Sequence, residues 1–175
     1  NIIERRKYGV ADIKKLYTDI NNGRNIDISN QYIKNFSSTK YRKIYKIKDE
    51  KYIDILNFSA YDSIFEADRL VDFSFCNFIG EKANFSTCHF GLGNLSFKNA
   101  KFGDFDVDFG NTSYSEGNNI FQYVKFGTGK VSFENARFIN GNISYINTSF
   151  GDGDVNFKNV NFGNGNVNFS FSSFG

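Results

Sequence analysis

From Val71 onward the chain follows a 12-residue repeat, and each repeat is two five-residue units followed by a spare dipeptide. The units run VDFSF-CNFIG, then EK, ANFST-CHFGL, then GN, LSFKN-AKFGD, then FD, and continue in the same way to VNFSF and a clipped SSFG. The third residue of all 18 units is aromatic, Phe in 16 of them and Tyr at Tyr114 and Tyr145. A fixed period with one invariant apolar position constrains the chain to a solenoid, in which each unit buries its apolar face only by stacking on its neighbours.

Strand geometry accounts for the positions around the aromatic. Successive side chains point to opposite faces, so the first and third residues of a unit face inward together. The first is small or β-branched, as at Val71, Cys76, Ala83, Cys88, Leu95, Ala100 and Val107, and the second is mostly polar, as at Asp72, Asn77, Asn84, Lys101, Ser132 and Asn156. The fifth is Asn, Asp or Gly at 80, 99, 104, 111, 135, 140, 147, 152, 159 and 164, residue types that accept the backbone of a tight corner. Six spare dipeptides begin with Gly (Gly93, Gly117, Gly129, Gly141, Gly153 and Gly165). The local plan is strand, corner, strand, wider corner.

With a small first residue, Asp or Asn second and Phe at the centre, residues 71–174 resemble the pentapeptide-repeat family. That resemblance implies a right-handed parallel β-helix of square section with four units per coil. The extra dipeptide after every second unit is a departure from it, and leads to an expected 24-residue coil with two of its four corners enlarged. The alternative is a two-sided, 12-residue coil. With coils about 4.8 Å apart, the first gives a stub of about 20 Å and the second a rod of about 40 Å.

Residues 1–70 read as an N-terminal cap region, and 71–175 as the solenoid. Val10, Ile13, Leu16, Tyr17 and Ile20 share one face of a helix predicted over 10–22, stopped by Asn21, Asn22 and Gly23, and placed to cover the first coil. The helix resembles the N-terminal start of pentapeptide-repeat proteins. Residues 26–35 follow as two units with Ile in place of the aromatic. The runs YRKIYKI and YIDILNF predict a β-hairpin excursion over 40–58 around Lys48 to Lys51. Residues 59–70 fit either a degenerate unit pair or a short helix. The chain begins with Asn1 rather than Met, which suggests a removed or omitted upstream segment, and it stops inside a unit at Gly175, which suggests either further repeats or a docked partner there.

Composition agrees with an elongated repeat domain: 22 Phe and 16 Gly, no Pro, Met or Trp. Each buried Phe contributes roughly 1.5 to 3 kcal/mol. The net charge of +2 hides a division, with 13 Lys or Arg against 6 acids in residues 1–51 and 8 against 13 in residues 52–175. The wealth of Asn, Lys, Ile and Phe suggests an AT-rich, low-GC bacterial genome. No stretch approaches a membrane span.

Side chains with chemical potential are few. Cys76 and Cys88 occupy the same inward position one repeat apart, so they are read as two buried thiols, with a disulfide as the alternative. His89 is the single histidine and has no second ligand beside it, whereas zinc needs three or four. Gly151-Asp152-Gly153-Asp154 is similar to calcium-binding β-roll turns, but most equivalents in other repeats are Asn, Lys or Ser, which favours a plain corner. Gly91-Leu92-Gly93 and Gly127-Thr128-Gly129 fall at corners and not before helices, so they carry no phosphate-loop signal. No catalytic, cofactor-binding or metal residue is assigned, and no small-molecule substrate or enzymatic activity is expected.

Two surface features carry partner expectations. His89, Lys101, Lys125 and Arg137 occupy equivalent outward positions and suggest either a basic stripe or a solvated face, while Asp72 and Asp108 lie outward among Ser and Asn on the other strand. Lys40 to Lys48 interleaves basic and aromatic residues like a single-strand nucleic-acid platform, but hairpin packing explains its aromatics equally well, and nucleic acid is not the expected partner. The expected function is that of a non-enzymatic structural or protein-binding β-solenoid, self-assembly into fibres through head-to-tail stacking included. The family resemblance implies an alternative: an acidic DNA mimic that binds a type II topoisomerase or another nucleic-acid-handling protein. Ice binding is disfavoured, because the outward strand positions contain no Thr ladder.

Overall fold

The computed structural model describes residues 8–175, and the first seven residues of the expected cap region lie outside them. Parallel pairing gives the coil length directly. Val107 pairs with Val131 and Val131 with Val155, while Asn119 pairs with Ile143 and Ile143 with Val167, each partner standing 24 positions further along the chain. The 24-residue reading therefore holds, and the 12-residue coil is excluded.

Each regular coil has four faces, taken in chain order. Face one includes Val107–Asp108, face two Ser113–Tyr114 and face three Asn119–Ile120. Face four is a column of bridges joining Lys101, Lys125, Ser149 and Ser173. The aromatics form four internal ladders. On face one Phe85, Phe109, Phe133 and Phe157 stack at 4.9, 4.9 and 5.2 Å with planes within 9° of parallel. Neighbouring ladders meet edge to face, as Phe97 meets Phe109 at 84° and Phe121 meets Phe133 at 85°. Both arrangements suit the ring quadrupole, so this core combines area burial with favourable ring geometry.

The corners show why the fifth position is restricted. The fifth residue of the first unit of every repeat, from Phe75 to Phe171, has φ between 54° and 61°. Asn holds this left-handed backbone at 99, 111, 135, 147 and 159, whereas Phe75, Thr87, Tyr123 and Phe171 hold it without that residue's advantage. At the wide corners close stacking adds a steric demand: a Cβ on Gly141, at φ 86°, would stand 2.3 Å from the carbonyl oxygen of Gly117 one coil below.

The cap region departs from the sequence reading at two places. Val10, expected on the buried face of the first helix, instead forms the strand Gly9–Val10 beside Gln31 and Tyr32 and is 76 % exposed, because Asp12 caps the helix and starts it only at Ile13. Helix α1, Ile13–Asn21, forms within the expected span, with Asp12 capping the amides of Lys14 and Lys15. It buries Leu16, Tyr17 and Ile20, and Tyr17 packs edge-on against Phe36 and Tyr41. Ile26, Ile28 and Ile33 are inward, as expected of the first units. The hairpin over 40–58 is a misreading. Its first arm is helix α2, Ser38–Tyr45, capped by Ser37, and its second, Ile53–Ser59, is a coil strand parallel to Cys76–Asn84. Tyr41 and Tyr45 are four positions apart, so alternation in YRKIYKI also satisfies one helical face; their rings meet at 4.7 Å. The helix is an insertion in the coil, for Tyr32 pairs with Ile64, 32 positions on. Residues 59–70 resolve as a unit pair with Phe65 fully buried.

Candidate functional site

The register assigns every exposed side chain to a face or an edge. Along the wide corners, side chains of one coil accept backbone N–H groups of the next. Asn94, Asn118 and Asn142 accept from Asn118, Asn142 and Asn166 at 2.9, 2.9 and 3.0 Å, and Asp104 and Asp106 accept from Thr128 and Lys130 at 3.0 and 2.8 Å. On the tight corner between faces one and two, Asn111, Asn135 and Asn159 form an amide ladder with 3.2 Å steps. These corner amides and carboxylates thus serve to bond coil to coil.

The candidates singled out by sequence are dispersed. Cys76 lies on face four and Cys88 on face two, both buried and free; burial raises both thiols, that of Cys88 to about 12, and the Cys88 thiol donates to the Ala60 carbonyl. His89 Nδ1 lies 2.7 Å from the Ser113 hydroxyl. Asp152 and Asp154 sit on the wide corner between faces four and one, in the same columns as Asp104 and Asp106 two coils below. Among the described residues no group of three His, Cys, Asp or Glu is placed to hold a metal. The basic stripe is split, since His89 and Arg137 belong to face two and Lys101 and Lys125 to face four.

Asp72 departs furthest from its outward assignment. It lies on face three beneath α2, 3 % exposed, and accepts the Thr39 amide at 3.1 Å, the Thr39 hydroxyl at 2.7 Å and the Ser74 amide at 2.9 Å. Burial pushes its carboxyl up, but the hydrogen bonds from Ser74 and Thr39 outweigh this and hold it below the usual carboxylate range. Arg42 of α2 is likewise buried, donating to the carbonyls of Ser74, Lys51 and Phe75, with its guanidinium 5.4 Å from the Phe75 ring.

Two charged edges emerge that the linear sequence conceals. Of the seven acids beyond residue 90, six (Asp104, Asp106, Asp108, Glu134, Asp152 and Asp154) fall on face one or the wide corner beside it. There Asp106, Asp108, Gly110, Lys130, Ser132 and Glu134 line an open depression of about 510 Å³. Across the solenoid, the corner between faces three and four carries Lys98, Lys101 and Lys125 beside Phe75 and Tyr123. The aromatic members of that corner column, at 75, 123 and 171, recur every second coil with Asn99 and Asn147 between them, a 48-residue signal visible only after the coil length is known.

No protein-family model, no curated protein and no solved structure matches this chain. No helix among the described residues is long and apolar enough to cross a membrane.

Proposed function

We propose that the chain is a non-enzymatic β-solenoid of the pentapeptide-repeat kind, and that it acts by presenting its rigid faces and edges to protein partners. The observation that supports this most is where its polar chemistry is engaged: the corner carboxylates and amides bond one coil to the next, and ring ladders fill the interior. What remains for recognition is surface with fixed charge. A second copy is the first partner of this reading, since a basic N-terminal region of 13 cations and 6 acids complements an acidic edge. Sedimentation velocity over a range of concentrations, at low and high salt, tests it. Association that weakens with salt is expected; a monomer under all conditions removes self-association and leaves a heterologous protein partner.

The acidic edge favours a second reading, the DNA mimic. Six carboxylates on one face and its corner, interrupted by Lys130 and Lys158, would present negative charge to a topoisomerase or another nucleic-acid-handling protein. Competition between this chain and duplex DNA for such an enzyme is its measurement, and binding unaffected by DNA would contradict it.

A further inference from the structure

Tyr123 adopts φ 58° at a corner where the repeat's usual solution is Asn, and the residue remains 47 % exposed with no ring-stacking partner among the described residues. A bulky side chain in the left-handed region stores strain, and such strain clusters at functional contacts. The surroundings indicate what the ring would meet. Lys125 follows it around the corner, Lys101 pairs directly with Lys125 one coil below, and Lys98 lies on the coil of Lys101. The segments 95–103 and 119–127 that build this part of faces three and four contain these three cations and no acid. Further down the edge Lys101 Nζ stands 4.0 Å from the Tyr52 ring centre, Tyr52 meets Phe75 at 5.9 Å, and Arg42 lies over Phe75.

We infer that this edge is a binding track for single-stranded nucleic acid. Its lysines supply charge complementary to phosphates, and Tyr123 and the exposed Phe171, about 10 Å apart over two coils of the same corner column, supply faces for bases, whereas Phe75 and Tyr52 are covered by Arg42 and Lys101. Charge beside open rings is the combination on which sequence-tolerant single-strand binders rely. A straight column along the solenoid axis fits a linear polyanion. This site differs from the Lys40 to Lys48 run: there Tyr41 is buried in the cap, and Tyr45 packs on it, so those rings are withdrawn from the lysines.

The test is fluorescence anisotropy of a labelled oligothymidine of about 20 nucleotides with the full chain at about 50 mM salt. Binding in roughly the micromolar to hundred-micromolar range is expected, falling with salt. Tyr123→Asn restores the repeat's own corner residue, so it preserves the fold while removing the ring, and should weaken binding about fivefold or more. Lys125→Gln should weaken it and flatten the salt dependence. Absence of binding, unchanged affinity in Tyr123→Asn, or equal affinity for a duplex or for heparin would overturn the inference, the last by revealing only a general attraction for polyanions.

Discussion

Phe109 and Phe133 lie one coil apart with ring centres 4.9 Å from each other and planes 8° from parallel. Phe133 is fully buried, stacks on Phe157 on its other side and meets Phe121 and Tyr145 edge-on, so truncation leaves a cavity whose lining cannot close without displacing four other rings. Phe133→Ala should cost about 3 to 5 kcal/mol in denaturant unfolding. Ser132→Ala, at the adjacent outward position, should cost within about 0.5 kcal/mol. Equal sensitivity at the two positions would be incompatible with the register.

Tyr145 occupies the centre of a unit where 16 of 18 units place Phe, and its buried hydroxyl has no hydrogen-bond partner among the described residues. Burial raises its phenol well above the usual value, so it stays neutral. Tyr145→Phe keeps the ring stack on Phe121 and removes a desolvated polar atom. It should stabilise the chain by about 1 kcal/mol, read as a higher denaturation midpoint with an unchanged slope. A lower midpoint would show that the hydroxyl is satisfied in solution.

Asp72 ties α2 to face three, and its pKa is held below the ordinary value by bonds that exist only in the folded state. A depressed folded pKa contributes stability above the unfolded value, about pH 4, and that contribution is lost as pH falls through the folded value. Asp72→Ala should cost about 2 kcal/mol or more at neutral pH by leaving the Thr39 and Ser74 amides without their acceptor. Asp72→Asn should flatten the acid limb of the stability profile, and an acid limb identical to that of the parent chain would contradict this role.

The repeat was legible because one position in five is aromatic without exception, and the enlarged corners followed from the spare dipeptides. The strands Asn25–Asp27 and Gln31–Lys34 were also within reach, since Ile26 and Ile33 keep the inward spacing with another apolar residue. Helix α2 was not, because Tyr41 and Tyr45 satisfy periods of two and of four over so short a run; the Ser37, Ser38, Thr39 cluster was the available capping signal. Asp72 obeys the outward rule locally, and only the inserted helix above it explains its burial. The charged edges depend on which residues lie 24 apart, a relation that emerges only once coil length is known.

The stacking of 24-residue coils underlies every surface described above, and it can be measured with spin labels at Asn84→Cys and Asn156→Cys. Both positions lie on face one, three coils apart, and the native Cys76 and Cys88 are buried with raised thiol pKa values, so they should escape labelling in the folded chain. Dipolar spectroscopy should give a backbone separation of roughly 14 Å, three coil steps, after allowance for the label arms. A separation of roughly 29 Å, the six steps of a 12-residue coil, would contradict the account.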